Sequence, residues 1–120
     1  MCKETGDTKT DFCTFSKNVE KVSKKYPLNP SGYFGEKGKN HRVIVSDNPI
    51  ETSVDFYKTI SCGGKESQLS NGKGVQTVFE DGTRIVYRVI TSTPDSPAVD
   101  ITVNIESPVK KQKIHFIRKD

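Results

Sequence analysis

Two histidines, His41 and His115, and the arginines, lysines and hydroxyls of the C-terminal half are the side chains of this 120-residue chain best suited to acid–base chemistry near neutral pH. An imidazole, with an ordinary pKa of about 6.5, can take or give a proton there, and an arginine offers a planar fork to phosphate oxygens. These groups suffice for metal-free RNA cleavage. A base takes the proton of the 2′-hydroxyl as it attacks the adjacent phosphate, cations stabilise the extra charge, and a donor protonates the leaving 5′-oxygen. DNA lacks the 2′-hydroxyl and would not be cut this way. Metal-dependent hydrolysis would call for clustered ligands, and the chain has no HxxxH, HExxH or HNH-like run. GxxxxGK[ST], GxGxxG and GxSxG are absent as well, so no cofactor is expected.

Strand alternation decides which of these groups can meet. Val75–Phe79 runs into a Glu80-Asp81-Gly82-Thr83 turn, and Arg84–Ser92 returns as the next strand. On that strand Ile85, Tyr87 and Val89 share one face, and Arg84, Val86, Arg88, Ile90 and Ser92 the other. Thr93 to Pro97 breaks it. In Ala98–Ile105, Val99, Ile101, Val103 and Ile105 form an apolar row opposite Asp100, Thr102 and Asn104. The last strand, Lys111–Arg118, sets Ile114 and Phe116 against Lys111, Lys113, His115 and Ile117. Joining the apolar rows into a core leaves a polar face carrying Arg84, Arg88, Ser92, Asp100, Thr102, Asn104, Lys113 and His115. On that face His115 would be the base or acid, Arg84, Arg88 and Lys113 the phosphate contacts, and Thr102 or Ser92 an orienting hydroxyl. Ser92, Asn104, Lys111, Tyr33 and His41 are the further candidates for contact with RNA. The same residues admit a plainer reading, with His115 a surface strand residue and Arg84 and Arg88 paired with Asp100 across the sheet.

Two helices precede these strands. From Thr14 as N-cap, Phe15, Val19, Val22 and Tyr26 make one stripe ended by Pro27, with Lys17, Lys21, Lys24 and Lys25 on the other side. Leu28–Asn40 is a loop by composition, and its Tyr33 and Phe34 could stack on a base or anchor the loop to the core. His41–Val45 has the pattern of a short buried strand. Asn48-Pro49-Ile50-Glu51 is a capping-box pattern, followed by a stripe of Ile50, Val54, Tyr57 and Ile60 and a Gly63-Gly64 stop. Lys65–Lys73 is a polar link. Residues 1–13 are expected to be a disordered tail or linker remnant, and residues 14–120 a single domain.

The net charge of +4 permits an anionic partner without demanding one. Cys2, Cys13 and Cys62 are odd in number and lack CxxC spacing, which favours incidental thiols. No apolar run approaches the roughly 18 residues of a membrane span, and Met1 is followed by polar sequence, so a soluble domain is expected.

The order Gly-x-Val, Phe-Glu-Asp-Gly-Thr, Tyr-Arg, Ser-Pro-Ala-Val-Asp-Ile and the closing Gln112-Lys113-Ile114-His115-Phe116 resembles C-terminal toxin domains of bacterial polymorphic toxins, above all the ribonuclease domains of contact-dependent growth inhibition systems. It spans roughly residues 72–117. The resemblance implies an α+β fold of the barnase/EndoU/colicin/RelE-like (BECR-like) type, with two N-terminal helices packed on a roughly four-stranded antiparallel sheet. It implies metal-independent cleavage of RNA, with tRNA the expected substrate. Such a domain would be secreted or delivered from a cell surface as part of a larger protein, to act in the cytoplasm of a target bacterium. The partners implied are a cognate immunity protein and, in some relatives, elongation factor Tu. Of the site residues it carries over His115 and, less directly, Arg84 and Arg88. The chain offers no obvious second histidine as the complementary acid, so His41, Lys113, Thr102 or a substrate-assisted step would have to serve. The rival from another class is a non-catalytic RNA- or protein-binding module using the same basic face.

Overall fold

The structure, a computed structural model, describes residues 14–38, 41–91, 96–104 and 107–118. The predicted tail at 1–13, Ser92, most of the Thr93–Pro97 break, Ile105 and Lys119 lie outside them. Helix α1 (Phe15–Lys25) begins where the Thr14 hydroxyl accepts from the Lys17 amide, and it buries the expected Phe15, Val19 and Val22. Then come β1 (Glu36–Lys37), β2 (Arg42–Ser46), α2 (Pro49–Ile60), β3 (Lys65–Gln68), β4 (Gly74–Val78), β5 (Arg84–Arg88), β6 (Ala98–Thr102) and β7 (Gln112–Arg118). Among the described residues no helix is long and apolar enough to cross a membrane.

The strands form one seven-stranded sheet in the order β1-β2-β7-β6-β5-β4-β3. All neighbours pair antiparallel except β2 and β7, which run parallel. This overturns the expectation of two N-terminal helices on a four-stranded antiparallel sheet. The strands β4 to β7 do follow one another in space, but β1 and β2 extend the sheet beyond β7, β3 extends it beyond β4, and α2 lies between strands in the sequence. The missed strand β3 is exposed along its whole length and polar throughout, so only its backbone ladder to β4 makes it a strand. Strand β5 also stops earlier than its alternation suggests. The Val89 amide turns to the Lys73 carbonyl, leaving Val89 42% and Ile90 55% exposed.

Both helices serve one face of the sheet. Helix α2 packs across β7, β2, β5 and β6, and α1 packs on α2. Between them lies a core of Phe34, Phe56, Ile60, Ile85, Val99, Ile101, Ile114 and Phe116, with Phe56 edge-on to both Phe34 and Phe116. Burying such side chains supplies roughly 1.5–3 kcal/mol apiece relative to leaving them exposed. The stripe predicted for α2 is turned by one residue. Ile50 is 46% exposed, and the buried face is Pro49, Ser53, Phe56, Tyr57 and Ile60. Ser53 is tolerated inside because its hydroxyl donates to the Ile50 carbonyl and lies 3.0 Å from the Tyr87 hydroxyl. The capping box is half made: Asn48 Oδ1 accepts from the Glu51 amide, but the Asn48 amide donates to Ser46 Oγ rather than to Glu51. Buried Asn18 fastens α1 to the end of α2 by donating to the Ile60 and Cys62 carbonyls. Cys62 is disulfide-bonded, which corrects the reading of three incidental thiols; Cys2 and Cys13 lie outside the described residues.

One amide ties the 29–35 loop to the sheet. Gln112, 8% exposed, accepts from the Phe34 amide at 2.9 Å and donates to the carbonyls of Gly32 and Lys110. Gly32, at φ 95°, approaches so closely that a Cβ would stand 2.4 Å from the Pro108 carbonyl. Replacing Gln112 with Ala should strand these groups and cost about 1–3 kcal/mol, read from urea unfolding at unchanged m-value. An exposed-helix control, Lys21→Ala, should change stability by less than about 0.5 kcal/mol.

Candidate active site

The face of the sheet away from the helices carries Arg84, Arg88, Asp100, Thr102, Lys113 and His115, and the register says how they meet. Arg84 lies opposite Thr102, and Asp100 opposite Lys113. Ala98 lies opposite both Arg88 and His115, so these two flank a small side chain with Cα atoms two strand spacings, about 10 Å, apart. Across the parallel junction Val43 is the partner of His115. Its neighbour two positions back, His41, therefore points to the same face. The His41 and His115 rings meet edge to face, with centroids 4.6 Å apart. The fold thus supplies the second imidazole that the C-terminal motif lacks.

Each ring has its own support. His115 Nδ1 is 2.9 Å from the hydroxyl of buried Ser96, which stands on the connection leading into β6. In the tautomer whose Nδ1–H donates to that oxygen, Nε2 carries the lone pair. His41 rests against Gly38. The Gly38 amide donates to the His41 carbonyl at 2.7 Å, and a Cβ on Gly38 would approach Nε2 to 2.9 Å. Glycine there leaves room for the ring.

Arg88 takes the plainer of its two expected roles. Its Nη2 donates to Asp100 at 2.8 Å, both side chains are about three-quarters buried, and its Nε is buried without an acceptor among the described residues. Arg88 is therefore a held charge beside His115 rather than a free phosphate contact. Arg84, Lys111 and Lys113, by contrast, face solvent. The pKa of His115 is lowered, first by burial, then by the neighbouring His41 and Lys113 charges and, last, by Arg88; a hydrogen bond to the Ser96 backbone opposes them. At pH 7 His115 is a neutral imidazole in a cationic setting, the form that a general base needs.

Two grooves share a ridge made of Lys111, Gln112 and Lys113. One, of about 500 Å³, lies towards Arg84, Asp100 and Thr102. The other, of about 470 Å³, lies towards Tyr33, His41 and Arg42. A larger groove of about 640 Å³ on the outer edge of β2 has no histidine in its walls, and its one lysine, Lys25, is ion-paired with Asp55. It does not compete as a site.

Of the predicted residues the structure brings together His115, His41, Arg88 and Lys113, with Arg84, Thr102, Lys111 and Tyr33 along the two grooves. Asn104 does not join them. Its side chain donates to the Asp81 carbonyl and its amide to Thr83 Oγ1, which fastens the β4–β5 turn. Ser92 is not among the described residues. Sequence reasoning missed Ser96, although the alternation of Asp100 and Ala98, carried back through Pro97, places it on this face. No family model, curated protein or solved structure matches the chain.

Replacing His41 with Ala removes one of the charges that hold His115 down, so the His115 pKa should rise towards 6.5, the free imidazole's approximate value, in an NMR titration of its ring protons. A value that stays put would mean that the two rings share no field. The same lowering makes folded His115 bind protons less readily than the unfolded chain. Its contribution to stability is complete above pH about 6.5 and is lost as the pH falls through the lowered value, and His115→Gln should flatten that part of the pH–stability curve.

Proposed function

We propose that this chain is a metal-independent endoribonuclease that cleaves by 2′-hydroxyl attack. The observation that carries the reading is the contact between His41 and His115 on the cationic sheet face away from the helices. His115 Nε2 takes the proton of the 2′-hydroxyl, whose oxygen bonds to phosphorus. The bond from phosphorus to the 5′-oxygen breaks, and that oxygen takes its proton from His41. The products are a 2′,3′-cyclic phosphate and a 5′-hydroxyl, and proton exchange with water restores both rings.

Lys113, on the same face two residues before His115, is the nearest mobile cation for the charge that gathers on the phosphorane. Arg84 and Lys111 hold flanking phosphates, and Thr102 lies beside Arg84 as a neutral donor. Arg88, fixed by Asp100, acts on His115 through its field and is a positioning residue. The likeness of residues 72–117 to toxin domains extends the proposal to tRNA as substrate, to delivery into a competing cell by a larger protein, and to a cognate immunity protein. Those parts rest on the motifs alone, and elongation factor Tu enters on the same footing.

Purified protein incubated with total RNA in EDTA should yield fragments ending in cyclic phosphate, and leave DNA intact. His115→Ala should slow cleavage by about 10²–10⁴-fold with an unchanged circular dichroism spectrum. The rate should rise with pH along a limb centred below about 6.5, since the base has a lowered pKa. A limb above that value rejects His115 as the base, and RNA retained without fragments assigns the face to binding alone.

A further inference from the structure

We infer that the groove between Tyr33, Arg42 and His41 is a nucleobase pocket, which takes the unstacked base of the nucleotide whose phosphate is cut. This rests on the ribonuclease reading of the adjoining imidazoles and names the part of the substrate they act beside.

The walls are unusual for a phosphate groove. Lys37, Lys111 and Lys113 line it together with His41 and Arg42, and among the described residues no carboxylate does. Lysines alone would draw phosphate to any exposed face, as those of α1 would, and they ask for nothing flat. Here the Arg42 guanidinium lies over the Tyr33 ring at 5.1 Å, and both line the groove. Arg42 is already committed in its own plane: Nε donates to the Phe34 carbonyl at 3.0 Å and Nη2 to that of Gly35 at 2.8 Å. Two of its five N–H donors are used in this way, which fixes the guanidinium plane, so it turns a face to a ligand. Tyr33 is held too, its amide donating to Asn29 Oδ1 at 3.0 Å while its neighbour Phe34 is fully buried and pinned by Gln112.

The outcome is a guanidinium–aromatic pair held in place before any ligand arrives, on which a planar base can stack. His41 precedes Arg42 in the chain and lines the same groove, so a base on the pair brings its own ribose and 3′-phosphate to the imidazoles. A duplex keeps its bases stacked and out of reach. The pocket therefore selects single-stranded segments and loops.

The test uses the wild-type chain with ¹³C-labelled tyrosine rings, titrated with adenosine 3′-monophosphate and separately with inorganic phosphate and ribose 5-phosphate. The Tyr33 ring signals should move with the nucleotide and not with the two base-free anions. Tyr33→Ala should weaken nucleotide binding about 5- to 100-fold and raise KM for short single-stranded RNA more than it lowers kcat, while Tyr33→Phe keeps both. Equal shifts with phosphate alone, or an Ala variant that binds the nucleotide as well as wild type, would overturn the pocket. The two readings fail separately. A protein that cuts RNA while Tyr33→Ala changes nothing loses the pocket and keeps the nuclease, and one that cuts no RNA while Tyr33 answers to the nucleotide does the reverse.

Discussion

The parallel pairing of β2 with β7 is the constraint on which the site depends. Strand β7 closes the chain and β2 belongs to its first half, so their union is the longest-range closure in the sheet. Parallel neighbours cannot be joined by a tight turn, and here the chain between them builds α2 and four other strands before it returns. Because side chains alternate with period two, a slip of one residue in this register would send His41 to the helix side. Several contacts resist that slip. Ile44 packs against the core, and Arg42 is tied to the Phe34 and Gly35 carbonyls. Gly35, at φ 67°, lies so near β2 that a Cβ would stand 2.3 Å from the Val43 carbonyl.

The second constraint is the division of labour between the faces. Both helices and nearly all the large apolar side chains are spent on one side, so the other is left to charge. Cations gathered on a sheet repel one another, and the fold moderates this by setting Asp100 between Arg88 and Lys113. The Arg88–Asp100 pair is sheltered enough to hold its geometry, and the buried Nε without an acceptor is a cost of about 1–3 kcal/mol that remains within it. The surviving positive field has two effects of one origin. After burial, it helps to keep the His115 proton affinity low, and on the proposed function it would draw a polyanion towards that imidazole.

Much of the site was legible because strand parity is a local property. Arg84, Arg88, Thr102, Lys113 and His115 could be placed on one face from Ile85, Tyr87, Val99, Ile101, Ile114 and Phe116 alone. What escaped was whatever depends on a partner distant in sequence. Strand β3 has no apolar residue in it, so its only signal is the ladder to β4. Ser53 sits inside because Tyr87 meets it, and that contact rotates the buried stripe of α2 away from Ile50. Gln112 looks like one more polar residue of a basic strand, yet it is the amide that fastens the 29–35 loop. The competing roles of Arg88 could not be separated without the register that sets Asp100 diagonally across from it.

The resemblance of residues 72–117 and the architecture bear on each other in one further way. Those residues make β4 to β7, an antiparallel run that supplies His115, the arginines and Lys113, and so holds one imidazole and a cationic surface. The other imidazole, the Tyr33–Arg42 pair and most of the lining of the groove beside them come from residues 31–44, which the motifs do not reach. A β4–β7 unit alone could attract RNA and present a neutral His115, but it would lack the second proton carrier and the flat surface beside it. On the proposed ribonuclease reading, the edge added by β1 and β2 is therefore what would separate a basic sheet that binds phosphate from one equipped to move two protons across a single phosphodiester.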